Sequence, residues 1–462
     1  MAWPMKRKAS YQANSITEGV IWKNLLSFFF PILLGTFFQQ MYNTVDAIIV
    51  GKFAGKEALA AVGGTTGSII NLIVGFFVGM SSGATVILSQ YYGGRRDKEV
   101  SETVHTAVAM AVAGGLFIMC LGLWLSPYLL SLLDTPQELV AYSMSYIRIY
   151  FIGMVPNLIY NIGSGLLRAV GDSRRPLLFL IAACITNIIL DVVFVVGFEM
   201  HVAGAALATI LSQTVSAALI IVTLMRSHTS YRLELKKIRF HVQHLKRIIT
   251  IGLPAGLQSM AYSVSNTIVQ ASINGFGTNV MAAYTAYGKL DAFNWMLQNA
   301  FGVSITTFVG QNFGAQKYDR VKKSVKVCLA MTAAGTLLLS GFLLVAGRPL
   351  YHMFTDDAQV IELGMQMLWQ LAPVFILYIC IEVLSGALRG TGDALIPSVL
   401  TLTGVCALRI VWLLGVVPFN RTLNMVLFCY PLTWMVTSIM FVVYYFKGGW
   451  LKRSIRKAGF ES

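Results

Sequence analysis

Long apolar stretches alternate with short polar connections from one end of the chain to the other. Twelve of them stand out. In the first half they run over 24–50, 58–88, 101–125, 139–162, 176–197 and 203–225, and in the second over 248–273, 280–308, 324–346, 360–386, 396–417 and 424–446. About 20 helical residues cross a hydrocarbon core roughly 30 Å thick, so the pattern predicts an all-α polytopic membrane protein with twelve transmembrane helices. Composition agrees. The chain is 56% hydrophobic and 12% charged, with a mean hydropathy of +0.68, whereas an ordinary soluble protein is about 25% charged.

A net charge of +15 in a soluble protein would suggest nucleic acid as a partner. Here its distribution argues against that. Only Lys52, Lys56, Arg348 and Arg421 fall in the odd-numbered connections, and Arg148, Lys289 and Arg409 lie within spans. The other basic residues sit at the N-terminus, in the even-numbered connections and in the tail. Basic residues stay on the cytoplasmic side, which predicts a multi-pass protein of the cell membrane with both termini inside. The basic opening "MAWPMKRK" leads into polar sequence without a small-residue cleavage site, so no removable signal peptide is expected. The six cysteines lie in apolar segments without metal-ligand spacing and read as packing residues.

The second half repeats the first. "GLLRAVGDSRRP" from Gly165 meets "GALRGTGDALIP" from Gly386, and "QYYGGRRDKEV" from Gln90 meets "QNFGAQKYDRV" from Gln311, both at an offset of 221 residues. Pro31, Asn43 and Thr44 match Pro254, Asn266 and Thr267 at a spacing two residues wider. Three landmarks in the same order mark two homologous halves. The boundaries follow: 1–225 an N-terminal six-helix lobe, 226–247 a basic cytoplasmic linker, 248–446 a C-terminal six-helix lobe, 447–462 a cytoplasmic tail. Six is even, so the two lobes share an orientation, and paired repeats around a substrate site are the architecture of alternating-access carriers. The linker is read either as an amphipathic helix on the anionic inner leaflet or as a solvated connection. The doubled Arg–Gly–Asp loops are hairpin hardware or gates, with Arg168 and Arg389 capping carbonyls or pairing with an acid.

Ionisable residues at membrane depth are costly and point to function. Asp46 lies in the first span, Asn187 and Asp191 in the fifth, Thr209 in the sixth. Asn187 and Asp191, four apart, share a helix face. Asp191 and Thr209 are equidistant from a connection centred near residue 200, so they share a depth, and Asp46 is about 6 Å inside the outer end of its helix. Two carboxylates in a low-dielectric site cannot both ionise freely, so the pair can hold a proton near neutral pH. With the amide and hydroxyl oxygens it could equally bind Na⁺, a hard cation. The other reading is a paired Asp that stabilises lobe packing. The constellation is not duplicated: Asp46, Asn187 and Asp191 map to Val269, Leu408 and Trp412.

The strings "FFPILLGTFFQQMYNTVDAIIVGKFAG", "QYYG" and "QNFG", and "LRAVGD" and "LRGTGD" resemble the MATE family, multidrug and toxic compound extrusion transporters, over essentially the whole chain. The resemblance implies a V-shaped pair of six-helix lobes exporting cationic or amphipathic drugs against an inward H⁺ or Na⁺ gradient. The coupling ion would be the only cofactor. Flippases for polysaccharides or lipid-linked oligosaccharides share that fold. In one branch of the family a proline-kinked first helix with an Asp, an Asn-x-x-x-Asp in helix 5 and a Thr in helix 6 form the cation site. Pro31, Asp46, Asn187, Asp191 and Thr209 occupy those positions here. Other members carry acids in helices 7 and 10, where this chain has Tyr262 and Glu382.

A substrate cavity would draw on Gln40, Tyr42 and Asn43 of the first span and on Tyr262, Tyr284, Asp291 and Glu382 of the second half, because aromatic faces and acids suit organic cations. Asp291 and Glu382 could instead be internal partners of Lys289 or Arg409. The expected partners are small organic cations or amphipathic compounds and the lipid bilayer, with no nucleic acid and a monomeric chain. A membrane-embedded enzyme would need a metal or nucleophile constellation at depth, and an ATP-driven pump a phosphate-binding loop; the sequence carries neither.

Overall fold

A computed structural model of the chain describes residues 16–63, 65–132 and 135–459. The basic opening, within residues 1–15, and the last residues of the tail, 460–462, lie outside the described residues. The helices run α1 (Ile21–Ile49), α2 (Lys56–Gly63), α3 (Thr65–Gly93), α4 (Asp97–Leu132), α5 (Gln137–Ile152), α6 (Met154–Ala169), α7 (Arg174–Asp191) and α8 (His201–Arg226). They continue as α9 (Val242–Asn274), α10 (Thr278–Gly314), α11 (Tyr318–His352), α12 (Ala358–Leu371), α13 (Ile379–Gly390), α14 (Leu395–Thr401), α15 (Leu408–Val411), α16 (Leu423–Leu427), α17 (Cys429–Lys447) and α18 (Trp450–Ala458).

Among the described residues, nine helical stretches are long and apolar enough to cross a membrane. A tenth span is the pair α5 and α6, bent by 51° between them. The remaining two are α9 and α10, 33 and 37 residues long, in which residues such as Lys289, Asp291, Asn294 and Gln298 dilute the apolar character. The chain is an all-α polytopic membrane protein, twelve spans in two six-span lobes.

The predicted spans are not all single helices. The fourth turns at Gly153, and the tenth contains a 3-10 segment, Ala372–Leu377, with Pro373 near its start. Gly153 and Val374 are repeat partners, so the same break recurs in each half. Proline lacks the N–H that would continue a helix, which accounts for Pro373. Gly153 is packed so closely that a Cβ there would press on Ile210. Helical segments of π type follow α1 (Val50–Ala54) and α7 (Val192–Gly197) and flank α15 on both sides (Leu402–Ala407 and Trp412–Val416). The connection 226–247 forms no amphipathic helix. It holds one 3-10 turn, Leu235–Lys237, before α9 begins at Val242. The tail, expected only as a cytoplasmic extension, contains α18, anchored by Trp450 stacking on Tyr445 at 5.1 Å.

The chain separates into two compact units, Met1–Ile249 with Gln311–Lys317, and Thr250–Gly310 with Tyr318–Ser462. In the first, α7 packs on α1 and α8, and α6 on α3, α4 and α8. The end of α10 also belongs to this unit, where the doubled Gln-x-x-Gly string gains a meaning. A Cβ on Gly93 would run into the carbonyl of Gln311, and one on Gly314 into the carbonyl of Gln90. Each copy of the string lays its glycine on the other's glutamine backbone. Gln311 also donates to the Ala169 carbonyl at 2.6 Å.

The doubled Arg–Gly–Asp loops close their helices alike. Gly171 and Gly392 have φ of 97° and 91°, the left-handed region that glycine enters without a steric cost. The Asp172 N–H donates to the Leu167 carbonyl at 2.9 Å and the Asp393 N–H to that of Leu388 at 3.1 Å, the helix-ending bond of a Schellman motif. Neither Arg168 nor Arg389 forms an ion pair among the described residues, and the Nε of each is buried without a hydrogen-bond partner. Asp172 pairs with Arg175 instead, and Asp393 accepts from the Tyr444 hydroxyl at 2.8 Å.

Candidate functional site

The first unit contains a polar cluster assembled from three helices. Asp46 stands one turn before the end of α1, and Asp191 is the last residue of α7. Each therefore sits just before a π segment, where the ladder of backbone bonds changes register and side chains are re-aimed. Asn187 lies one turn before Asp191 on α7, and Thr209 lies on α8, which packs against α7. All four are buried: Asp46 is 7% exposed, Asn187 1%, Asp191 0% and Thr209 5%.

The two carboxylates are close enough to interact electrostatically. No basic side chain pairs with either among the described residues. One oxygen of Asp46, both oxygens of Asp191 and both polar atoms of the Asn187 amide are buried without a hydrogen-bond partner. The Thr209 hydroxyl donates to the Ala205 carbonyl at 3.0 Å, which leaves its oxygen able to accept or to ligate. Buried polar atoms are nearly always satisfied in folded proteins. Five orphans in one place therefore mark a site suited to a proton or to an oxygen-ligated cation.

Tyrosines enclose the pair. Tyr146 lies within electrostatic reach of Asp46 and Asp191, and Tyr42 within reach of Asp46. Tyr146 stacks on Tyr150 at 6.2 Å between centroids. Tyr42, expected from the sequence to line a cavity, is thus joined by Tyr146 and Tyr150. Their signal was present in "YSMSYIRIY", where Tyr142, Tyr146 and Tyr150 recur every four residues and so line one helix face. Gln40 and Asn43 are exposed on α1. Pro31 lies inside α1, and its partner Pro254 inside α9.

The second unit gathers its polar residues around aromatic rings. The Tyr262 and Tyr378 hydroxyls are 3.1 Å apart, and those of Tyr284 and Tyr430 are 2.8 Å apart. Trp295 packs edge-on to Tyr378 at 4.8 Å and donates its indole N–H to Asp291 at 2.7 Å. The other Asp291 oxygen has no partner. The Glu382 carboxyl lies against the backbone of Gly302 on α10, and its electrostatic partner is Arg389, two turns along α13. Lys289 and Arg409 thus serve neither acid as an ion-pair partner among the described residues, and that sequence-based alternative is corrected. Lys289 is exposed, while Arg409 is held by Asn266. No group of three His, Cys, Asp or Glu among the described residues is arranged to hold a metal.

Residues 31–193 and 254–413 each match the family model MatE. The chain is 28% identical over 405 residues to the probable multidrug resistance protein YpnP of Bacillus subtilis (strain 168), covering 86% of this chain and 89% of the relative. It is 24% identical over 395 residues to the probable multidrug resistance protein NorM of Thermotoga maritima, with 84% of each covered. A solved structure of a MOP superfamily transporter from Pyrococcus furiosus superposes with a TM-score of 0.88 at 22% identity, over 96% of this chain and 99% of the other. That last likeness speaks for the fold.

Proposed function

The chain belongs to the MatE family, and from that premise we propose that it is a secondary antiporter exporting cationic or amphipathic organic compounds in exchange for H⁺ or Na⁺. It is a multi-pass membrane transport protein and not an enzyme. Relatives named for multidrug resistance support drug efflux as the activity. The distribution of basic residues supports an orientation with both termini in the cytoplasm.

One observation carries the coupling: two buried carboxylates that share a site and have no counter-charge among the described residues. Two ionised acids at this depth are mutually destabilising, and neutralising one relieves both the repulsion and the desolvation. A proton does this by protonating one carboxyl. Na⁺ does it by taking oxygens from Asp46, Asp191, Asn187 and Thr209. A bound ion shifts a conformational equilibrium only through different affinities for the two states. Here the difference would arise because the two acids stand on different helices: neutralisation favours the state in which α1 and α7 bring them closest. Pro31 gives α1 a place to bend, since its ring removes one backbone bond in mid-helix.

Inverted membrane vesicles loaded with acid or with Na⁺ test the reading directly. A fluorescent organic cation should accumulate inside under one of the two imposed gradients and not when that gradient is dissipated. Accumulation under neither overturns coupled drug export and directs attention to a flippase.

A further inference from the structure

Where the first unit has acids, the second has a buried cation. At the repeat offset Asn187 and Asp191 correspond to Leu408 and Trp412, and Ile188 corresponds to Arg409. Asn43 corresponds to Asn266. Arg409 occupies the four-residue turn α15 between two π segments, and it is 1% exposed. Guanidinium does not deprotonate in proteins, so this is a full positive charge inside a membrane lobe.

Its compensation is incomplete. Nη1 donates to the Asn266 side-chain oxygen at 2.8 Å. The guanidinium carbon lies 4.6 Å from the centroid of the Tyr430 ring, a cation–π contact. Nε is buried without a partner, and the ion pairs among the described residues all lie elsewhere. A buried cation that needed only to be tolerated would be paired with an acid, as intramembrane charges almost always are. Asp291 and Glu382 are in the same unit, but Asp291 accepts from Trp295 and Glu382 lies within electrostatic reach of Arg389; neither pairs with Arg409 among the described residues.

We propose that the C-terminal lobe binds the carboxylate of an amphipathic aromatic compound on the Nε edge of Arg409. That edge presents parallel N–H donors at the spacing of carboxylate oxygens. A single guanidinium matches a monoanion, whereas a phosphate dianion would bring in a second uncompensated charge. Tyr430 and Tyr284, both half-buried and with their hydroxyls 2.8 Å apart, supply flat faces beside the charge, so the ligand class is an aromatic acid or zwitterion. Asn266, exposed on α9, holds Nη1 and so fixes the guanidinium while its Nε stays unbound. The substrate range would then extend beyond cations. This rests on the transport reading only for its physiological sense, because the site itself is tested by binding.

The test uses detergent-purified full-length protein and two dyes, rhodamine B, with a free carboxylate, and its ethyl ester, without one. Affinities are read by fluorescence anisotropy, with gel filtration as the check on folding. Arg409→Gln should weaken rhodamine B binding by about tenfold or more while changing ester binding by less than about twofold. Should Arg409→Gln fail to fold, Asn266→Asp decides. It gives Arg409 an internal carboxylate, so the acid-to-ester affinity ratio should fall just as far in a protein relieved of its unpaired charge. Equal losses for both dyes, an unchanged ratio, or a parent protein that binds neither dye would overturn the proposal. Vesicle transport of an organic cation under an ion gradient is a separate measurement and could stand in each of those cases.

Discussion

An amide in place of a carboxyl keeps shape and hydrogen-bonding capacity but can neither titrate nor neutralise Na⁺. Asp46→Asn and Asp191→Asn should therefore each reduce gradient-driven efflux to background while sparing dye binding to purified protein. Glu382→Gln, in the other unit, should alter apparent affinity for cations and leave the ion dependence intact. Normal pumping by both Asp variants, with uncoupling by Glu382→Gln alone, would move the coupling site to the second unit. The glycines make a different kind of prediction. Gly93 and Gly314 lie where a Cβ meets main-chain carbonyl rather than a movable side chain, so Gly93→Ala or Gly314→Ala should cost about 3 kcal/mol or more, read as a lower Tm. At this scale the acids were legible, because a charge inside an apolar run needs explaining. Tyr146 and Tyr150 were legible only through their four-residue spacing, because a tyrosine in a membrane helix needs no explanation by itself. Arg409 was visible as a charge, but the acids expected to pair with it are engaged elsewhere.

Whole helices were easier to read than the places where they bend. Apolar runs gave the spans, but nothing in composition distinguishes π from α geometry, and the segments after Asp46 and Asp191 are built from the same valines, phenylalanines and glycines as their neighbours. Pro31 is the exception, since its chemistry fixes a missing bond. Pro31→Ala restores that bond and should leave expression and folding unchanged while slowing transport. Unchanged turnover would remove the hinge from the account.

The connection from α8 to α9 makes a second prediction at the same scale. His105 donates from Nδ1 to the Ser101 carbonyl at 2.6 Å and accepts the Glu234 N–H at Nε2, 3.0 Å away. His241 accepts the Arg239 Nε–H at 3.1 Å. The Thr106 hydroxyl is committed as donor to the Glu102 carbonyl at 2.7 Å, and its oxygen accepts the His241 N–H at 3.2 Å. A proton on the His241 Nε2 would set donor against donor. Burial lowers the His241 pKa from its ordinary 6.5, with Arg239, His244 and His105 acting in the same direction and Glu102 opposing. A lowered value means that the unfolded segment binds more protons, so the attachment is fully present above the ordinary value and is lost as pH falls below it. Amide exchange at His241, corrected for its intrinsic rate, should accelerate across that interval, and flat protection would contradict it.

At the scale of the molecule, the doubled strings identified the repeat, yet they could not reveal that two of the copies touch. Period and offset carry topology; contact depends on where the end of α10 lies, and that belongs to packing, not pattern. Orientation has the opposite character, since it is written in the distribution of basic residues along the sequence. The positive-inside bias assigns the connection after α1 and the one between α15 and α16 to the outer face. It assigns the turns after α3 and α10 to the cytoplasm. In a background without native cysteines, Lys52→Cys and Asn420→Cys should react with an impermeant thiol reagent added to intact cells. Lys98→Cys and Asp319→Cys should react only after permeabilisation. All four positions are exposed, so unreactive outer sites cannot be ascribed to burial. The labelling also bears on coupling. Asp46 and Asp191 lie toward the Lys52 end of their lobe, so in this orientation their ion enters from the outside, as an inward gradient requires. The reverse labelling would place the pair at the cytoplasmic end and deprive it of that gradient as its source.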